Sequence, residues 1–249
     1  MAVKKTNHPL SLQVVHSIFN ILLTALFASE DRTVNANSDC ILESLVRRYP
    51  VLSGLQPKIA ECVEAVAESL RNGGSLFTCG NGGSAADADH IAAELMKGFR
   101  KRRPVGSASE NALVRNCSES EASFLIEHLQ EGLRAIALTG HPALSTAVSN
   151  DTSPDLVFAQ QLYALGRKGD VLLGISTSGN ARNVQLAGLT ARATGMKVIG
   201  LTGRDGGRMN EYSDICVHVP ADSTPEIQEL HLPVYHAFCA MLENVFFSE

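Results

Sequence analysis

Five short apolar runs constrain the fold of this chain more than any other feature. They are Leu76 to Cys79, Ala135 to Leu138, Val171 to Ile175, Val198 to Leu201 and Ile215 to Val219. Each is too short for a helix and apolar throughout, as a strand buried on both faces must be. Helical stretches at 84–99, 154–166, 181–194 and a short one near 206–212 lie between most of them. Strands alternating with helices predict an α/β fold, a five-stranded parallel sheet sandwiched between helices as a three-layer αβα architecture. Ahead of the first strand, a helix is expected from Ser38 or Asp39 to about Tyr49, where Pro50 ends it. A second, over 55–72, carries Ile59, Val63, Val66, Ala67 and Leu70 on one face and stops at Asn72-Gly73-Gly74. The last segment, Pro225 to about Phe247, reads as one long helix, and Pro233 inside it predicts a kink.

Two regions fall outside this rhythm. Residues 1–38 form an N-terminal extension, and residues 39–249 form a single domain with an insertion around 105–134. Within the extension, Leu12, Val15, Ile18, Phe19 and Leu22 recur at helical spacing, as in an amphipathic helix that packs on a core or a partner. The basic start at Lys4 and Lys5, followed by an apolar run, also fits a secretory signal, though Gln13, His16, Ser17 and Asn20 interrupt that run. In the insertion, residues 100–118 join the helix after the first strand to a short helix near 119–132. The basic tetrad Arg100 to Arg103 is read as a solvated helix end, where cations suit the helix dipole.

Composition removes several function classes. The 249 residues are 45% apolar and 19% charged, which excludes a disordered chain. A net charge of −5 gives no general pull toward nucleic acid or an anionic membrane, and with no Trp and few aromatics there is no base-stacking surface. The six cysteines form no CxxC pair, so they read as ordinary thiols of a reducing, cytoplasmic compartment.

Two loops carry the candidate chemistry. Gly80-Asn81-Gly82-Gly83-Ser84 follows the first strand and opens a helix, where glycines let a ligand approach the backbone and free N–H groups face an anion. It matches neither of the common nucleotide-binding glycine patterns. Ser176-Thr177-Ser178-Gly179-Asn180 follows the third strand and places three hydroxyls at another helix start, a dense donor set for a phosphate monoester. Past the first loop, His90 and Glu94 share one helix face at a spacing that suits two metal ligands, or a ligand and a base. The final helix carries Gln228, His231 and His236. His236 lies about 80° around the helix from Gln228 and His231 about 60° the other way, so geometry alone does not choose between the histidines.

In combination these motifs resemble the phosphoheptose isomerases, enzymes of the sugar-isomerase (SIS) fold. The resemblance rests on Cys79 to His90 with Glu94, on Gly169 to Asn180, on Ile227 to His231 ending at His236, and on Asn150-Asp151. It runs in order from about residue 40 to the C-terminus. It implies a parallel-sheet SIS domain, usually assembled as a homotetramer with sites shared between subunits. It implies isomerisation of sedoheptulose 7-phosphate to D-glycero-D-manno-heptose 7-phosphate through an enediol. By the same resemblance a divalent metal, zinc, would be held by His90, Glu94, Gln228 and His236. Glu94 would be the base and His236 the proton donor. The substrate would meet Asn81, Gly82, Gly83, Ser84, Asn150, Asp151, Ser176, Thr177, Ser178 and Gln228. No nucleic acid or membrane partner is implied. The chain departs from the pattern at Ala181, where many relatives carry a phosphate-holding serine, and at Pro225, where some carry an acid. A binding protein on the same fold, for a sugar phosphate or a replication initiator, and another sugar-phosphate isomerase or lyase are the competing readings. The enzyme is preferred because a pure binder has no use for an acid–base pair.

Overall fold

The computed structural model describes residues 39–247. The amphipathic or signal-like segment of the N-terminal extension lies outside them. The chain enters as helix α1 (39–48), turns through a short 3-10 helix at Pro50–Leu55 and continues as α2 (Gln56–Arg71). Five strands follow: β1 (Leu76–Cys79), β2 (Ala135–Ala137), β3 (Val171–Ile175), β4 (Lys197–Thr202) and β5 (Ile215–His218). All pair in parallel, in the order β2-β1-β3-β4-β5. Each apolar run is a strand of this sheet.

Side chains alternate across the pleat and feed two cores. Leu76, Leu173, Ile175, Ile199, Leu201 and Val217 face α2, α3 (Gly83–Met96) and α10 (Thr224–Phe246). Phe77, Cys79, Leu172 and Val198 face the other way, against α7 (Val157–Leu165), α8 (Arg182–Ala193) and the short α9 (Met209–Tyr212). Burial on both faces explains why β1, β3 and β4 read as apolar runs, while the edge strands β2 and β5 are buried only in part. Pro233 has no N–H for the Glu229 carbonyl, yet α10 continues through it, held on both sides by residues of the first core.

The insertion differs from the sequence expectation. It contains two helices, α4 (Ser107–Asn116) and α5 (Glu119–His128), and α5 is four residues shorter than expected. A further helix, α6 (Pro142–Asp151), follows β2. The basic tetrad is not a solvated helix end. α3 stops at Met96, and Arg103 is 2% exposed. Its guanidinium sits 2.9 Å from the buried Glu243 carboxylate and donates to the Leu95 and Glu94 carbonyls that end α3. The backbone N–H groups of Phe99 and Arg100 also donate to Glu243, at 2.9 Å each. Burying an arginine is tolerable here because its donors and its charge are both matched.

Candidate active site

The two ligand-type loops leave adjacent strands at their carboxyl ends. β1 and β3 pair from Leu76–Val171 to Cys79–Gly174, and the chain then turns to opposite sides of the sheet. Such a reversal opens a crevice where ligands bind in open α/β sheets. In the first loop Gly82 has φ +56°, a conformation that favours glycine. Gly83 lies against the Gln228 amide, where a Cβ would collide. In the second, Gly179 has φ +65° and packs on the Gly206 backbone. Among the described residues the N–H groups of Asn81, Gly82, Gly83, Thr177 and Ser178 donate to no protein group. Those of Asn81, Gly82 and Gly83 lie at the start of α3 and those of Thr177 and Ser178 in the turn ahead of α8, a setting in which free N–H groups can meet an anion.

The loops are braced, not loose. Asn81 and Asn183 exchange two amide hydrogen bonds of 2.9 Å, tying the first loop to the first turn of α8. The Thr177 carbonyl accepts from Gly203 N at 3.0 Å, and the Asn180 side chain accepts from Arg208 N at 3.0 Å. Ser176 and Ser84 are buried, while Ser178 is exposed at the crevice.

α3 and α10 supply the ionisable groups. Asp87, His90 and Glu94 follow at helical spacing along one face of α3, next to the buried stripe of Ala88, Ile91 and Leu95. His90 Nε2 lies 3.0 Å from Glu94 Oε1, and His90 Nδ1 lies 3.0 Å from the Tyr235 hydroxyl of α10. Tyr235 donates onward to Asp87 Oδ1 at 3.2 Å. The His236 ring crosses the His90 ring edge-on at 5.1 Å and leans on Phe99 at 5.4 Å. Its Nε2 is buried with no partner among the described residues. Burial, and then the neighbouring His90, hold the His236 pKa below the ordinary histidine value. Burial raises the Asp87 carboxyl, against the Tyr235 hydrogen bond.

The fold therefore gathers His90, Glu94 and His236. His231, the other histidine that spacing left open, is 0% exposed inside the core and faces none of them. Gln228 stands at the first loop, about 10 Å along the helix from the level of His90 by helical rise, and makes no hydrogen bond to that group. Asn150 and Asp151 end α6, exposed, with the Asn150 amide donating to Asp151 at 2.8 Å; neither bonds to the loops. Cys79 is not a ligand candidate, since burial pushes its thiol up to about 12 and keeps it protonated. Among the described residues no three His, Cys, Asp or Glu side chains already converge on one point. In kind, however, the donors suit a divalent cation: a histidine–carboxylate pair at 3.0 Å and an adjacent buried histidine nitrogen that lacks a partner.

The SIS-domain family model matches residues 42–125 and 120–203. The chain is 42% identical over 193 residues to a phosphoheptose isomerase of Roseiflexus sp. (strain RS-1), covering 78% of this chain and 84% of the relative. It is 42% identical over 195 residues to one of Geotalea daltonii, covering 78% and 88%. The chain belongs to the SIS-domain phosphoheptose isomerase family. The solved phosphoheptose isomerase of Neisseria gonorrhoeae superimposes with a TM-score of 0.61 at 34% identity, over 90% of this chain and 98% of that one. That of Francisella tularensis gives 0.63 at 35%, over 82% and 95%.

Measured against this family, Ala181 stands at the N-cap of α8 with no side-chain cap for the helix. One hydroxyl is thus absent where the second loop meets α8. Asp87, Tyr235 and Asn183 were not visible as site residues in the sequence. Asp87 did have a signal, three residues before His90 on the same helix face. Tyr235 and Asn183 had none, because their partners lie 145 and 102 residues away.

Proposed function

We propose that this chain isomerises sedoheptulose 7-phosphate to D-glycero-D-manno-heptose 7-phosphate. The observation that carries the reading is that the fold gathers His90, Glu94 and His236 and leaves N–H groups of two neighbouring loops without protein acceptors among the described residues. Ser176, Thr177 and Ser178, with the free N–H groups of both loops, hold the phosphate and so orient the far end of the sugar. Glu94 takes a proton from C1 of the ketose. The electrons of that C–H bond form the C1–C2 double bond of the enediol, and the C2 carbonyl oxygen takes a proton from His236. Return of the carbon-bound proton to C2, with loss of the O1 proton, gives the aldose. Glu94 has one oxygen for each duty. Oε1 faces His90, while Oε2 has only Lys97, at 3.5 Å.

His90, Glu94 and His236 would hold a divalent cation, zinc first; the family resemblance adds Gln228 as a fourth ligand, although within one chain it stands at the first loop, away from those three. Such an ion would polarise the carbonyl and stabilise the negative charge that develops on its oxygen. Assembly as a homotetramer, with Asn150 and Asp151 in a site completed between subunits, belongs to the same proposal, as does a cytoplasmic location. Among the described residues no helix is long and apolar enough to cross a membrane. The test is Glu94→Gln, assayed on sedoheptulose 7-phosphate. Removing a general base costs about 100- to 10,000-fold in turnover, and near-normal turnover would overturn the assignment.

A further inference from the structure

We propose that Tyr235 is a positioning residue: anchored by Asp87, it keeps the His90 proton on Nδ1 and so presents the Nε2 lone pair, beside Glu94, to the cation. The inference rests on the metal reading above and concerns two residues to which the resemblance assigns no role.

One proton, that of the Tyr235 hydroxyl, sets the arrangement. The Tyr235 hydroxyl has two neighbours able to accept it, Asp87 Oδ1 at 3.2 Å and His90 Nδ1 at 3.0 Å. An ionised carboxylate is the stronger acceptor. Asp87 also has the greater need. Its Oδ2 is buried with no partner, and Tyr235 is its only hydrogen-bond donor among the described residues. The hydroxyl proton therefore goes to Asp87. The phenol oxygen is left to accept, and the His90 nitrogen facing it must carry hydrogen. Nδ1–H then donates to Tyr235, and Nε2 keeps its lone pair.

That lone pair points at Glu94 Oε1, 3.0 Å away. Two acceptors at this distance repel unless something positive lies between or beside them. A proton on Nε2 or a divalent cation meets that requirement, and the two compete for the same lone pair. The Tyr235 ring also meets the His90 ring edge-on, with centroids 5.4 Å apart at 73°, so packing and hydrogen bonding fix the same imidazole orientation. Tyr235 is 2% exposed and directly precedes His236 on α10. One turn of α10 thus places one candidate ligand and orients the other.

Zinc titration of the metal-free protein against a competing chelator tests this, using wild type, Tyr235→Phe and Asp87→Asn. Loss of a group that orients a ligating histidine weakens metal binding about 10- to 100-fold. Both variants are expected to show that loss. The double variant is expected to bind no more weakly than the weaker single, since both act through one proton. Wild-type affinity in Tyr235→Phe would overturn the proposal. If that variant does not fold, Asp87→Asn, which keeps the side-chain shape, decides by the same criterion. Failure of the wild type to bind zinc would instead overturn the metal reading. The His90 tautomer in the metal-free protein, read by imidazole nitrogen NMR, then decides for Tyr235: hydrogen on Nδ1 supports it and hydrogen on Nε2 overturns it.

Discussion

At the scale of single residues, two histidines five positions apart do opposite things. His236 stands beside His90 and Phe99. His231 is sealed in the core, and neither of its ring nitrogens has a partner at hydrogen-bond geometry. Burial lowers the His231 pKa to about 4, and the nearby Thr202 backbone offsets only part of this. In the unfolded chain its value is near 6.5, so the unfolded state gains a proton first as the pH falls. Stability is therefore fully present above about 6.5 and is lost progressively down to about 4. The loss at low pH is on the order of 3 kcal/mol. Urea unfolding of wild type and His231→Leu across this range is expected to show a shallower acid loss in the variant. Parallel pH profiles would show that His231 contributes nothing to it. Helical spacing did not separate these histidines. Only the docking of α10 on α3 tells which one faces the site, and that depends on contacts about 145 residues apart in the chain.

At the scale of elements, the strands and the two loops were legible because each carries its signal locally: an unbroken apolar run, then glycines and hydroxyls. α4 and α6 were not. α4 buries no side chain and α6 buries only Val148, so neither shows an apolar period. The buried role of Arg103 was equally hidden, because its partner Glu243 lies 140 residues further on. Removing one member of a buried ion pair costs about 3–5 kcal/mol. Arg103→Met is expected to lose stability on that scale in thermal unfolding, and Arg102→Met, exposed, to lose almost none. An equal, small loss in both would show that the tetrad behaves as surface. α8 offers the converse experiment. Ala181→Ser would add an N-cap worth about 0.5–2 kcal/mol and one more donor at the phosphate loop. The expected result is a higher melting temperature together with a lower KM for the sugar phosphate. A rise in stability without a change in KM would place the phosphate away from the start of α8.

At the scale of the whole molecule, sheet order decides where chemistry can occur. Because β1 and β3 are neighbours whose chains diverge, both loops leave at one crevice, and α3 and α10 pack together through His90 and Tyr235. The class of fold was legible from alternation alone, but the order β2-β1-β3-β4-β5 was not, since nothing local states which strands pair. Asn150 and Asp151 make no bond to this crevice within one chain; in the proposed homotetramer they would serve a site shared between subunits. Sedimentation is then expected to give about four times the 26.6 kDa chain mass, and a monomer would contradict the shared-site assembly. Isomerisation is what the fold and the gathered side chains together serve. The most direct measurement is proton NMR of sedoheptulose 7-phosphate incubated with zinc-loaded wild type and with Glu94→Gln. The expected result is D-glycero-D-manno-heptose 7-phosphate from the wild type and almost none from the variant. No product from the loaded wild type, or equal product from both, would contradict it.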